Sequence, residues 1–123
     1  MNKTYIPALI FITLLSVLHF IASELHFYTT VIWFDEMMHI LGGMGLAFFL
    51  YWLNVTFIKS QKISFSVIIF FTFLLGLSWE VWETYYDIAG APVGTNAYYI
   101  DTIKDLFNDI IGAIIACFFL RKK

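Results

Sequence analysis

Of the 123 residues, one is cysteine and two are proline. A single thiol, Cys117, cannot make an intrachain disulfide, and its apolar surroundings say nothing about redox compartment. Two prolines and seven glycines, with no Pro/Gly/Ser tract, leave no linker for a second domain, so 1–123 is read as one domain. Charge is scarcer still. Asp, Glu, Lys and Arg make up 13% of the chain, against about one quarter of a soluble domain. That deficit excludes an ordinary soluble protein. Seven basic residues within a net charge of -2 also point away from a nucleic-acid partner. There is no Walker motif, no Rossmann glycine fingerprint and no Ser-His-Asp order.

What is present is apolar: 61% of the residues are hydrophobic and 20% aromatic. A bilayer-crossing helix takes about 20 mostly apolar residues. Four stretches qualify, at about 5–23, 34–58, 63–86 and 101–120. The expected fold is an all-α integral membrane bundle of four transmembrane helices. The first run lacks a clean small-x-small cleavage site and is read as a span, not a signal peptide.

The stretches between spans one and two and between spans three and four contain no Lys or Arg. Lys3, Lys59, Lys62, Arg121, Lys122 and Lys123 all fall on the other side, and Lys104 lies inside the fourth run. The positive-inside rule then predicts two cytoplasmic termini and a multi-pass protein of the cytoplasmic (inner) membrane, in contact with membrane lipid. All nine acids and all three histidines fall toward the opposite, outer end. Trp33, Trp79, Trp82, Tyr85, Tyr86, Tyr98 and Tyr99 gather there too, as an interfacial aromatic belt does.

The acids are periodic. Asp35, His39 and Gly42 share a face of the second run; Gly76, Glu80, Glu83 and Asp87 share one of the third. In the fourth, Asp101, Asp105, Asn108, Asp109 and Gly112 lie within about a quarter-turn. Charged groups in spans seldom face lipid, so the three stripes are expected to converge. Gly42, Gly43, Gly76 and Gly112 would let the backbones approach below them.

Carboxylate and imidazole together suit zinc, iron or manganese, and four-helix bundles host such sites. Asp35, His39, Glu80, Glu83, Asp105 and Asp109 are the candidate metal ligands, with Asp101, Lys104 and Asn108 as further polar members. Simpler roles compete for some of them. Asp101 fits a helix N-cap, Asp105 fits a partner of Lys104, and Asp87 and Glu24 fit solvated loop acids. His19 and His26 read as interfacial, and Met37, Met38 and Met44 as packing.

Three motifs in order, FDEMMHILGG, WEVWE and YIDTIKDLFNDIIGA, resemble the YjdF-like family of small bacterial inner-membrane proteins. That family is similar to the broader VanZ-like group. The match rests on Asp35, His39, Gly42 and Gly43; on Glu80, Trp82 and Glu83; and on Gly94, Thr95, Asp101, Thr102, Asp105, Asp109 and Gly112. The resemblance implies a multi-span membrane protein tied to the envelope and brings no established activity. YjdF-like proteins usually carry extra N-terminal spans, and VanZ-like ones more often have Asn where Asp109 stands.

Three functions fit these residues. The first is a divalent-cation site acting by hydrolysis or transfer on a lipid or envelope precursor. The second is a proton or cation transport subunit, which with only four helices requires a homo-oligomer. The third is a structural protein with a buried polar network.

Overall fold

A computed structural model describes residues 3–59, 63–88 and 90–121. Among them the chain is all α: α1 (Tyr5–Glu24), α2 (Phe27–Thr30), α3 (Phe34–Leu53), α4 (Phe65–Tyr85) and α5 (Asn96–Leu120). A π-helical turn, Asn54–Ile58, carries α3 onward without a break. The single-turn α2 adds a fifth helix to the four expected. It forms where His26 takes a left-handed backbone (φ 56°) and its carbonyl accepts from both the Thr29 and Thr30 hydroxyls at 2.9 Å.

Three helical stretches are long and apolar enough to cross a bilayer: Tyr5–Glu24, Phe34–Ile58 and Phe65–Tyr85. They follow the expected spans 5–23, 34–58 and 63–86 closely. The fourth, 101–120, lies inside α5, which has 25 residues but carries more charge than the others. α5 also begins five residues earlier than Asp101. Thr95 caps it, its hydroxyl accepting from Tyr98 N at 3.2 Å while donating to Pro92 O at 2.7 Å. Asp101 therefore sits in the second turn and does not cap the helix.

α3 is the central element. It packs against α1, α4 and α5, and α4 packs against α5 as well. α1 touches only α2 and α3 among the described residues. α1 runs antiparallel to α3, seating Phe11 on Phe48 with ring centroids 5.4 Å apart. The N-terminal halves of α3 and α5 meet the C-terminal half of α4, which collects the acids at one end. Lys3, Lys59 and Arg121 fall at the other end; Lys62, Lys122 and Lys123 lie outside the described residues.

Between the two ends the packing depends on small residues. Ala47, Ala113 and Ala116 are fully buried together with Ile68, and Ala8, Phe48, Tyr51, Cys117 and Leu120 complete the cluster. Large apolar side chains such as Phe20, Phe70 and Phe118 point outward, each more than half exposed. A water-soluble surface rarely carries so much contiguous apolar area, whereas hydrocarbon solvates it well.

The closest approach is between α3 and α5. A Cβ on Gly43 would collide with the Asp109 carbonyl, and one on Gly112 would collide with the Ile40 carbonyl. Only hydrogen fits at either position. Gly42 differs, since a Cβ there would make one ordinary contact, with an Asp109 oxygen at 3.9 Å. Gly112→Ala should therefore force the helices apart and cost about 1–3 kcal/mol, as overpacking does. Thermal melts in detergent should show a clear drop for Gly112→Ala and almost none for Gly42→Ala; equal effects would contradict the backbone contact.

Candidate polar centre at the acid end

His39 lies one turn into α3 and is 8% exposed. Its Nδ1 shares a 3.3 Å hydrogen bond with Asp109 Oδ1. The other ring nitrogen, Nε2, faces three carboxylates from three helices: Asp105 at 3.8 Å, Asp35 at 3.9 Å and Glu80 at 4.0 Å. These separations exceed the roughly 2.7–3.2 Å of a hydrogen bond. Two ligands bound at about 2.0–2.6 Å to one cation stand roughly 3–5 Å apart, and the observed spacing falls in that range.

The inner acids are deeply placed. Asp105 is 2% exposed, Asp109 4% and Glu80 5%. Asp105 Oδ1 and Glu80 Oε1 are buried without any hydrogen-bond partner. A buried carboxylate oxygen left alone is costly, so these two call for a cation, a proton or a bound water. Asp35, His39 and Asp105 each offer one ligand atom, all within 4.8 Å of one another, and this buried group could hold a metal ion.

Local structure explains the arrangement. Asp35 lies in the first turn of α3, where the helix dipole favours negative charge. His39, one turn on, lies over the same face. Asp109 fits beside His39 because Gly76 of α4 has no side chain. A Cβ at Gly76 would strike Asp109 Oδ2. Gly76 thus makes room for a carboxylate, whereas Gly43 and Gly112 make room for backbone.

The remaining polar residues divide into a rim and bystanders. Lys104 pairs with Glu36 at 2.9 Å and Asp101 at 3.2 Å, and does not pair with Asp105. Its charge is taken up at the rim, so the four inner carboxylates share a single imidazole. Glu83 also stands at the rim, accepting from Trp79 Nε1 at 2.8 Å, outside the His39 circle. Asn108 is buried beside the inner acids in sequence, with an unpartnered Nδ2. Asp87 and Glu24 are exposed. Asp87 ends α4 in a left-handed conformation (φ 56°), with Ile88 N bonded to Glu83 O at 3.0 Å as in a Schellman motif. Ile88 and Gly90 line the cavity beside the centre.

Beside the centre lies a cavity of about 960 Å³, lined by α1, α3, α4 and α5. His39, Asp35, Asp109 and Glu83 form its polar end. His19, expected at the interface, also lines it, its Nδ1 sharing a 2.8 Å hydrogen bond with the hydroxyl of Tyr28, a second lining residue that the sequence did not single out. Burial, then the charges of Asp35 and Glu83, push the Tyr28 phenol up to about 12, so it stays neutral at physiological pH. Trp79 and Trp82 stack with centroids 4.9 Å apart and form part of the cavity wall.

The fold and this centre define an all-α membrane protein with a buried His/Asp/Glu cluster. In comparison with known families, residues 4–122 match the model of a family described as "Predicted membrane protein (DUF2238)", and the chain belongs to that family. No curated protein and no solved structure matches the chain.

Removing His39 leaves buried charges uncompensated, while removing Lys104 strips only a partly solvated pair. His39→Ala should cost about 3–5 kcal/mol and Lys104→Met about 1 kcal/mol or less. Denaturation followed by Trp fluorescence measures both; equal losses would show that the inner acids do not depend on the imidazole.

Proposed function

We propose that this protein spans the cytoplasmic membrane four times, with α5 as the fourth span. In this reading the acid end faces outward and holds a divalent cation. One observation carries the reading. His39 Nδ1 stands 3.3 Å from Asp109 Oδ1 while Nε2 faces Asp35, Glu80 and Asp105, so with the proton on Nδ1 the ring donates to Asp109 and turns the Nε2 lone pair toward the three carboxylates. Metal-ligating histidines characteristically donate their second nitrogen to a carboxylate in this way. Asp109 is then the residue that orients the ligand, and Glu83 is a rim acid; neither is a ligand itself. One imidazole with three carboxylates suits manganese, iron or zinc better than magnesium or calcium.

Such an ion polarises a phosphoryl or carbonyl oxygen and acidifies a bound water. The chemistry proposed is hydrolysis or transfer on a lipid or envelope precursor. In hydrolysis the water oxygen bonds to phosphorus or carbonyl carbon as the bond to the leaving alcohol breaks. The leaving oxygen takes the proton that the water gives up. The likeness of the three motifs to YjdF-like and VanZ-like proteins supports an envelope substrate.

Protein purified without chelator should carry about one equivalent of metal, read by elemental mass spectrometry. His39→Ala and Asp105→Asn should lose it. Asp109→Asn should weaken affinity by about 10–100-fold, as loss of an orienting partner does. Glu83→Gln should retain it. Wild-type protein with under a tenth of an equivalent after manganese loading (about the noise of such a one-site measurement) would end the cation reading.

A further inference from the structure

The cavity is more than a pocket beside the polar centre. Among the described residues α1 and α4 make no contact with one another, although each packs on α3 or α5. The cavity lies between them and has exposed residues on both walls. Ile12 on one wall and Leu75 on the other are 48% and 41% exposed.

Its polarity changes in the same direction on three helices. On α1, His19 and Ser23 line the acid end, and Leu15 and Ile12 line the other end. On α3, Asp35 and His39 give way to Leu46 and Phe49. On α4, Glu83 and Trp79 give way to Gly76 and Leu75. From Asp35 to Phe49 the groove follows α3 for about 21 Å. That distance is most of one bilayer's hydrocarbon thickness, roughly 30 Å. A soluble substrate has no use for an apolar trough of this length. An apolar helix from a second copy of the chain would fill the apolar end but leave the acid end without a polar complement.

We propose that the cleft between α1 and α4 seats the acyl chain of a bilayer lipid that enters sideways, with the lipid phosphate at the His39 centre. The proposal rests on the cation reading above, because four carboxylates without a cation would repel a phosphate. It adds the route of entry and the substrate class: a phosphate-headed, acyl-chain lipid.

The probe is a phosphatidic acid with a diazirine on its acyl chain, added to manganese-loaded protein in phosphatidylcholine nanodiscs and mapped by peptide mass spectrometry. Labels should concentrate around Ile12, Leu46 and Leu75, several-fold over the outward-facing Phe70 and Phe118. Ile12→Trp and Leu46→Trp should each cut the cleft labelling several-fold with manganese content unchanged. Ile12 is on an exposed wall, so its variant avoids core repacking. Even labelling of cleft and outer faces overturns the proposal, and so does cleft labelling that vanishes when two copies share a disc. Manganese measured in the same discs separates the two readings. Even labelling with manganese bound removes the lipid cleft alone. Failure to bind manganese removes the cation centre and, with it, the phosphate contact.

Discussion

The backbones of α3 and α5 touch at Gly43 and Gly112, and the polar centre depends on that contact. It brings the Asp109 carbonyl against α3 and so brings the Asp109 carboxylate within reach of His39, one turn away. A separation larger by one methyl group would leave His39 without its orienting hydrogen bond. The ring could then turn, and Nε2 would no longer face three carboxylates. Close packing of small residues, the usual source of helix association in lipid, is here also what sets the geometry of the polar centre.

The second organising feature is the division of charge between rim and interior. Lys104, Glu36 and Asp101 satisfy one another where the side chains are partly exposed. Inside, four carboxylates surround one imidazole, and two of their oxygens have no partner. A purely structural network would be expected to pair every member, because a half-satisfied buried network is worse than none. The imbalance is the feature that the proposed cation would relieve.

Much of this was legible in the residues themselves. Hydrophobic runs located three spans to within two residues at most ends, and the i, i+4 spacing placed Asp35 and His39 together. The convergence of three stripes followed from the cost of charge in lipid. Finer assignments needed packing. Glu80 and Glu83 lie about 60° apart on α4, too close for periodicity to say which turns inward. Trp79, one turn before Glu83, holds that acid at the rim. Asp101 resembled a cap because the apolar run starts there, but Thr95 and the Pro92 carbonyl start the helix earlier. Lys104 meets Glu36 across helices 68 positions apart, and His19 meets Tyr28 only because α2 folds the chain back. No local spacing encodes either pairing.

The order of the helices along the chain has a consequence for biosynthesis. α1 emerges first, yet its only long partner is α3. α5 emerges last, and its partners α3 and α4 are by then already made. Until α5 arrives, His39, Asp35 and Glu80 face no closing wall. The helix with the most charge thus docks onto a surface already bearing the imidazole that receives Asp109. Truncation ahead of Asp105 would leave most of the chain made but without Asp105 and Asp109, two of the carboxylates around His39.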